Sequence, residues 1–232
     1  MYLLTETASP FALERWAAFF ANFGQFAKGF FYTLGISIGA LIVALLLGLI
    51  FGAMSSTHNK VLRGISRVYV EIFQNTPLLV QFVVVFYGIS ILTDGHVMIP
   101  ISLTAILCVG VYTGAYISEI IRTGIEAVPK GQTEAALSQG FTYADTMRII
   151  ILPQAVRTIL PPLTNQVVNS IKNTSTVAII SGADIMFTAK AWAYDTTNYV
   201  PAFAGAAFLY FIMCFPLATW ARRKEEENKK AY

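Results

Sequence analysis

Charge is scarce in this sequence. Only 12% of its 232 residues are Asp, Glu, Lys or Arg, while 56% are hydrophobic and the mean hydropathy is +0.61. That is too apolar for a soluble domain of this size to bury. Cysteine and histidine are rarer still, two of each. Cys108 and Cys214 sit inside apolar runs and read as small packing residues, so no disulfide framework follows from them. His58 and His96 are isolated in loops and do not make a metal site. No G-x-x-x-x-G-K-S/T phosphate loop occurs, so the chain does not bind ATP in the usual manner. No Ser, Cys or His constellation with a base is visible, so an enzyme is the weakest reading and none is expected. A basic stripe with interleaved aromatics is also missing, which excludes nucleic acid as a partner.

What remains is hydrocarbon in long runs. A helix needs about 20 apolar residues to cross a bilayer core. Four stretches qualify: Phe30 to Gly52, Ile72 to Thr93, Val97 to Ser118 and Thr196 to Ala221. A weaker fifth, Met147 to Ala183, is interrupted by Arg157, Pro161, Pro162 and Lys172 and is expected to be a broken span. The fold class expected is therefore all-α, with five transmembrane helices. With five spans, eleven Lys and Arg fall on the side of the C-terminus and four on the side of the N-terminus. Cytoplasmic loops retain the basic residues, so the N-terminus is expected outside and the C-terminus inside.

The N-terminal segment, residues 1–28, lacks the pattern of a removable signal peptide. Leu13, Trp16, Phe19, Phe20 and Phe23 recur there at helical spacing. They predict either a short helix lying at the outer interface or an extension of the first span. Residues 29–222 form the membrane domain, and residues 223–232 a charged cytoplasmic tail. Small residues fall four apart in the spans, at Gly35 and Gly39, Gly48 and Gly52, and Gly110, Gly114 and Ser118. Such faces let helices approach closely in lipid, where hydrophobic drive between them is weak.

One polar island breaks the pattern, in the cytoplasmic loop 122–153. It reads Glu134-Ala135-Ala136, three residues, Gly140, nine residues, Ile150, one residue, Leu152-Pro153. "GQTEAALSQ" is a short helix former closed by Gly140, which takes the positive backbone angle that ends a helix. Thr142 with Asp145 three residues on predicts a capping box opening the next helix. Pro153 is expected to kink that helix where it meets the membrane. The product is a helix-turn-helix on the cytoplasmic face.

This spacing resembles the signature loop of the membrane subunits of binding-protein-dependent ABC importers. "VYVEIFQNTPLLVQ", "AYISEIIRTGIEAVPKGQTEAA" and "LPQAVRTILPPLTNQVVNSIKNTS" are similar to the permeases of polar amino acid uptake systems. The resemblance implies a type I importer permease fold in the inner membrane of a prokaryote. It implies that Glu134, Ala135, Ala136 and Gly140 form a coupling helix gripped by a separate pair of ATPase subunits, which bind the ATP, so that this chain needs no cofactor. It also implies a second permease subunit, identical or a close relative, and an external amino acid binding protein.

An amino acid must shed water to cross, so polar groups have to meet it at membrane depth, where they are costly and point inward. Asn165, Asn169 and Asn173 are four apart on one helix face, with Lys172, Thr174 and Ser175 just beyond, and these are the candidate substrate residues. The alternative is that the amides bond across helices as glue. In the second span Pro77 removes a backbone donor beside Gln74, Asn75 and Gln81, which predicts a gate or kink lining the pathway. Glu119 and Arg122 are expected to form a local supporting ion pair. Between Met147 and Ala183 there is no acidic residue, which disfavours a cationic cargo and favours a neutral or acidic one such as glutamine or glutamate. An ion-coupled secondary transporter is the rival reading. It lacks the internal duplication and the buried coupling carboxylate that such a protein needs.

Overall fold

The computed structural model describes residues 9–230, and every regular element among them is helical. Helix α1 (Leu13–Ala21) stops at Asn22 and α2 (Phe23–Ser55) begins at once, so the first long helix starts ahead of Phe30. A separate short helix and an extended span are thus both present. Phe19 of α1 is buried, its ring 4.8 Å from that of Phe26 and 6.0 Å from that of Trp192. Trp192 belongs to α8 (Ile185–Thr196), and Arg15 Nη1 donates to the carbonyl of Thr197 at 2.9 Å just after it. These contacts gather α1 and α8 at one end of the bundle.

The spine of the bundle is α2 packed along α5 (Ile101–Glu126). The glycine faces make this seam. A Cβ on Gly110 would stand 2.7 Å from Val43 Cβ and 3.0 Å from the carbonyl of Ala40, and one on Gly114 would stand 3.2 Å from the carbonyl of Ala44. Gly48 meets Ile117 and Gly52 meets Ile121 from the other side. Gly35 has no neighbour within 4 Å and takes no part. Close approach, rather than apolarity, selects the small residues here.

The run Ile72 to Thr93 is not one straight helix. It divides into α3 (Lys60–Gln74) and α4 (Leu78–Leu92), which meet at 97°. Pro77 has no N–H to continue the ladder, and side chains take over the freed carbonyls. Asn75 Nδ2 donates to Glu71 O at 2.8 Å, Thr76 Oγ1 to Ile72 O at 2.8 Å, and Gln81 Nε2 to Phe73 O at 3.2 Å. The bend is therefore a built corner.

After α5 come a short surface helix, α6 (Lys130–Ser138), a turn, a π-helical stretch at Thr146–Ile151 and α7 (Leu152–Asn173). The broken fourth span expected at Pro161 and Pro162 is a correction, because α7 runs unbroken through both. The irregularity lies earlier, in the π-helical turn, so Pro153 falls in the first turn of α7, where a missing N–H costs little. Past Asn173 the backbone tightens into a 3₁₀ stretch at Thr174–Ile180, then turns at Ser181 into α8. Finally α9 (Tyr199–Lys230) carries the chain to its charged tail.

Among the described residues three helices are long and apolar enough to cross a membrane, α2, α5 and residues Tyr199–Arg223 of α9, and a fourth if the bent α3 and α4 count as one. Helix α7, at 22 residues, is long enough but too polar on one side to join them.

Candidate functional site: the coupling loop and the open face of α7

Helix α6 ends as its sequence predicts. Gly140 takes φ +88°, Gly140 N–H donates to Leu137 O at 3.0 Å and Phe141 N–H to Ala136 O at 3.2 Å. This pair of bonds is a Schellman closure. Thr142 then caps the next turn, accepting from Asp145 N–H at 3.2 Å while its hydroxyl donates to the Asp145 carboxylate. Within α6, Glu134 and Ala135 are exposed and Ala136 is buried at 3%. One face is left open, and the other rests on the bundle.

What α6 rests on is the Thr146–Ile151 turn, its principal contact within the chain. That turn runs directly into α7. Between α6 and the C-terminal ends of α2 and α5 lies a cavity of about 650 Å³, bordered by His58, Glu126, Glu134, Tyr143 and Thr146. The His58 ring stands edge-on to Tyr143 at 5.0 Å, which ties the α2 to α3 loop to the coupling loop. Thr146 is buried and its hydroxyl has no hydrogen-bond partner among the described residues.

On α7 the exposed positions include Thr158, Pro162, Asn165, Asn169 and Lys172, a stripe of helical spacing. Asn165 and Asn169 lie open and Asn173 is half-buried, and none of the three side chains makes a hydrogen bond among the described residues. Within this chain they are not interhelical glue. Lys172 and Ser175 border a hollow of about 300 Å³ with Met186, Phe203 and Tyr210. Thr174 is fully buried and its hydroxyl donates to Ile171 O at 2.6 Å, so it faces packing rather than open space. Gln81 is also buried, and its amide nitrogen is engaged at the corner with Phe73 and Thr76. Pro77 opens α4 at that corner.

Glu119 and Arg122 do pair, Nε to Oε2 at 3.0 Å, and Arg122 also holds Glu126 one turn on. Glu126 escaped notice because only the first of two possible helical partners was considered. A second residue was missed by one position. Asp184, one position past the Met147 to Ala183 stretch, is fully buried in the loop between α7 and α8. Its oxygens accept from Phe187 N–H at 2.9 Å, Met186 N–H at 3.2 Å and Tyr210 Oη at 3.1 Å. Burial pushes its carboxyl up to about 6. An Asp just before "IMFTAKAWA" is an N-cap signal that was available in the sequence. Thr33 of α2 accepts from Ile185 N–H at 3.1 Å, so the same loop is stitched to the N-terminal half of α2.

The short helix α6 thus rests on the turn that leads into α7, a helix with an open polar face. Residues 44–225 match the family described as binding-protein-dependent transport system inner membrane component, and the chain belongs to that family. A probable glutamine ABC transporter permease protein of Bacillus subtilis is 36% identical over 216 residues, covering 92% of this chain and 97% of the relative. The glutamate/aspartate import permease protein of Escherichia coli K12 is 33% identical over 208 residues, covering 82% and 85%. A crystal structure of an amino acid ABC transporter with histidines superposes with a TM-score of 0.84 at 31% identity, covering 91% of this chain and 98% of that one.

Family membership makes this chain a multi-pass permease of the bacterial inner membrane and not the ATPase of its system, with no cofactor expected. An ATPase and a binding protein are its implied partners. The ion-coupled secondary transporter is set aside.

Proposed function

We propose that this chain is the membrane subunit of an ATP-driven importer of polar amino acids, neutral or acidic in side chain, and that α7 lines their path. The observation that carries the reading is the row of Asn165 and Asn169 on an open helix face with no partner in their own chain. Amides left unpaired at membrane depth are costly unless they face water, cargo or another subunit. A single bundle of this size encloses no path, so the face is completed by a second permease subunit, a copy or a close relative. Asn173, Lys172 and Ser175 continue the path outward.

In this reading five helices cross the membrane with the N-terminus outside. The corner of α3 and α4 makes the second crossing, and α7 the fourth, its low apolarity reflecting a face turned to the path instead of to lipid. Movement enters through α6. An ATPase subunit grips its open side at Glu134 and Ala135, Ala136 passes the displacement to the Thr146–Ile151 turn, and the turn moves α7. The path then faces alternately outward and inward.

The cargo class is supported by the printed functions of the relatives, glutamine in one and glutamate or aspartate in another. It is also supported by the lack of a free carboxylate near the Asn face, since Asp184 is engaged in capping α8. The test is uptake by the complete transporter reconstituted in vesicles. Asn169→Leu is expected to lower glutamine or glutamate uptake about tenfold or more, a loss of about 1.4 kcal/mol in transition-state binding. Its melting temperature and its assembly with the ATPase stay unchanged. Unchanged uptake would sink the path, and arginine uptake as fast as glutamine uptake would sink the cargo class.

A further inference from the structure

At the inner end of the bundle, between α3 and α5, lies a cleft of about 440 Å³ bordered by Arg63, Arg67, Glu71, Gln74, Glu119 and Arg122 among others. It is large enough for a small polar molecule. The two walls differ in how their charges are used. On α5, Arg122 bonds both Glu119 and Glu126, so that wall neutralises itself. On α3 the pairing is loose. Arg67 Nε stands 3.6 Å from Glu71 Oε1 with both side chains well exposed, and Arg63 makes no ion pair or hydrogen bond among the described residues. Glu71 Oε2 accepts from Asn75 Nδ2 at 3.1 Å and has capacity left. Arg63, Arg67 and Glu71 follow at helical spacing, which makes one row of two guanidinium groups and a carboxylate.

We propose that this cleft is a second, cytoplasmic site for an amino acid zwitterion, with the α-carboxylate on Arg63 and Arg67 and the α-ammonium on Glu71. The inference rests on the cargo being an amino acid. Guanidinium forks match a carboxylate in geometry as well as charge. A lipid or free phosphate fits less well, because Glu71 stands in the same row as the two guanidinium groups and repels a plain anion. Gln74 Nε2 donates to Ala115 O at 3.2 Å and ties the two walls together, so the space between them is defined by the fold.

The position gives the site a consequence. Helix α5 ends at Glu126 and α6 begins at Lys130, and Glu126 borders both this cleft and the cavity beneath the coupling helix. A ligand filling the cleft holds α3 and α5 apart and favours the arrangement in which the cleft is open. Cargo accumulated inside therefore slows its own import.

The experiment uses the complete transporter in vesicles with ATP and graded L-glutamine inside, and reads the initial uptake of labelled glutamine. Internal glutamine is expected to slow the wild type. With Arg63→Gln the concentration needed rises about tenfold, while uptake into glutamine-free vesicles matches the wild type. Arg67→Gln and Glu71→Gln shift it in the same direction. Internal glutaramate, which lacks the ammonium, and 4-aminobutanamide, which lacks the carboxylate, inhibit less than glutamine. Equal inhibition of wild type and Arg63→Gln, or none in the wild type, overturns the site. Glutaramate acting as strongly as glutamine overturns the zwitterion in favour of an anion site. A wild type that takes up no glutamine and no glutamate overturns the cargo reading itself, and this inference with it.

Discussion

The Tyr210 hydroxyl on α9 donates to Oδ2 of Asp184 across 3.1 Å, joining the last long helix to the cap of α8. The carboxylate at the centre of this junction is fully buried, and its charge is unfavourable there. Burial raises its pKa from 3.8 to about 6. The folded state thus holds this proton at pH values where the unfolded chain has released it. The contribution of the group to stability is greatest below the unfolded pKa and falls as pH rises through the folded one. Asp184→Asn keeps one oxygen for the Phe187 N–H and turns its amide nitrogen toward Tyr210, whose hydroxyl can accept, and it carries no charge. Its melting temperature is expected above that of the wild type at pH 8, with the gap closing toward pH 5. A thermal melt of the purified protein at both pH values checks this, and a gap independent of pH would refute the account.

Ala135 and Ala136 are neighbours in sequence on different faces of α6, one exposed and one buried. Ala135→Trp adds bulk to the side open to the ATPase, and co-purification of the ATPase should fall. Ala136→Leu adds bulk against the bundle, an overpacking of about 1–3 kcal/mol. The complex should still form, but ATP hydrolysis should no longer drive uptake. Identical behaviour of the two variants would show that α6 is not a two-sided lever.

Gly140 separates backbone strain from crowding. A Cβ there meets nothing within 4 Å, yet φ is +88°, so a side chain costs about 1–3 kcal/mol through the backbone alone. Uptake should follow the order Gly, then Asn, which tolerates left-handed angles, then Val. If Gly140→Val transported as well as Gly140→Asn, the closure of α6 would not depend on this angle.

Gly110→Val tests the spine. The added Cβ would stand 2.7 Å from Val43 Cβ and 3.0 Å from a backbone carbonyl, neither of which swings away. The expected result is a lower melting temperature and poor assembly of the whole transporter, whereas Gly35→Val, in open space, should be nearly silent. Melting of the two variants side by side is the measurement.

The coupling loop was legible because every signal in it is local. A helix former stopped by Gly140, and Thr142 set three residues before Asp145, specify the backbone with no help from elsewhere. The glycine seam was half legible. Spacing picked out Gly110 and Gly114 together with Gly35, and only the partner helix separates them, since Gly35 has none. Pro77 marked a kink in the sequence, but not a bend of 97°, because hydropathy registers how much hydrocarbon a run contains and is blind to its direction. Pro161 and Pro162 misled in the opposite sense. A proline pair weakens an isolated helix, but inside a bundle neighbouring groups can satisfy the carbonyls it frees.

Composition and periodicity by themselves determined that this chain lives in a bilayer and where the short helix α6 begins and ends. These properties depend on transfer free energy and on bonds between residues a few positions apart. Periodicity also put Asn165, Asn169 and Asn173 on one face, but it could not say what that face meets. Only the packing of α2, α5 and α9 around α7 decided that Asn165 and Asn169 stay open while Thr174 is sealed and Asp184 is capped. Exposure is a relation between segments far apart in sequence, and no single segment contains it.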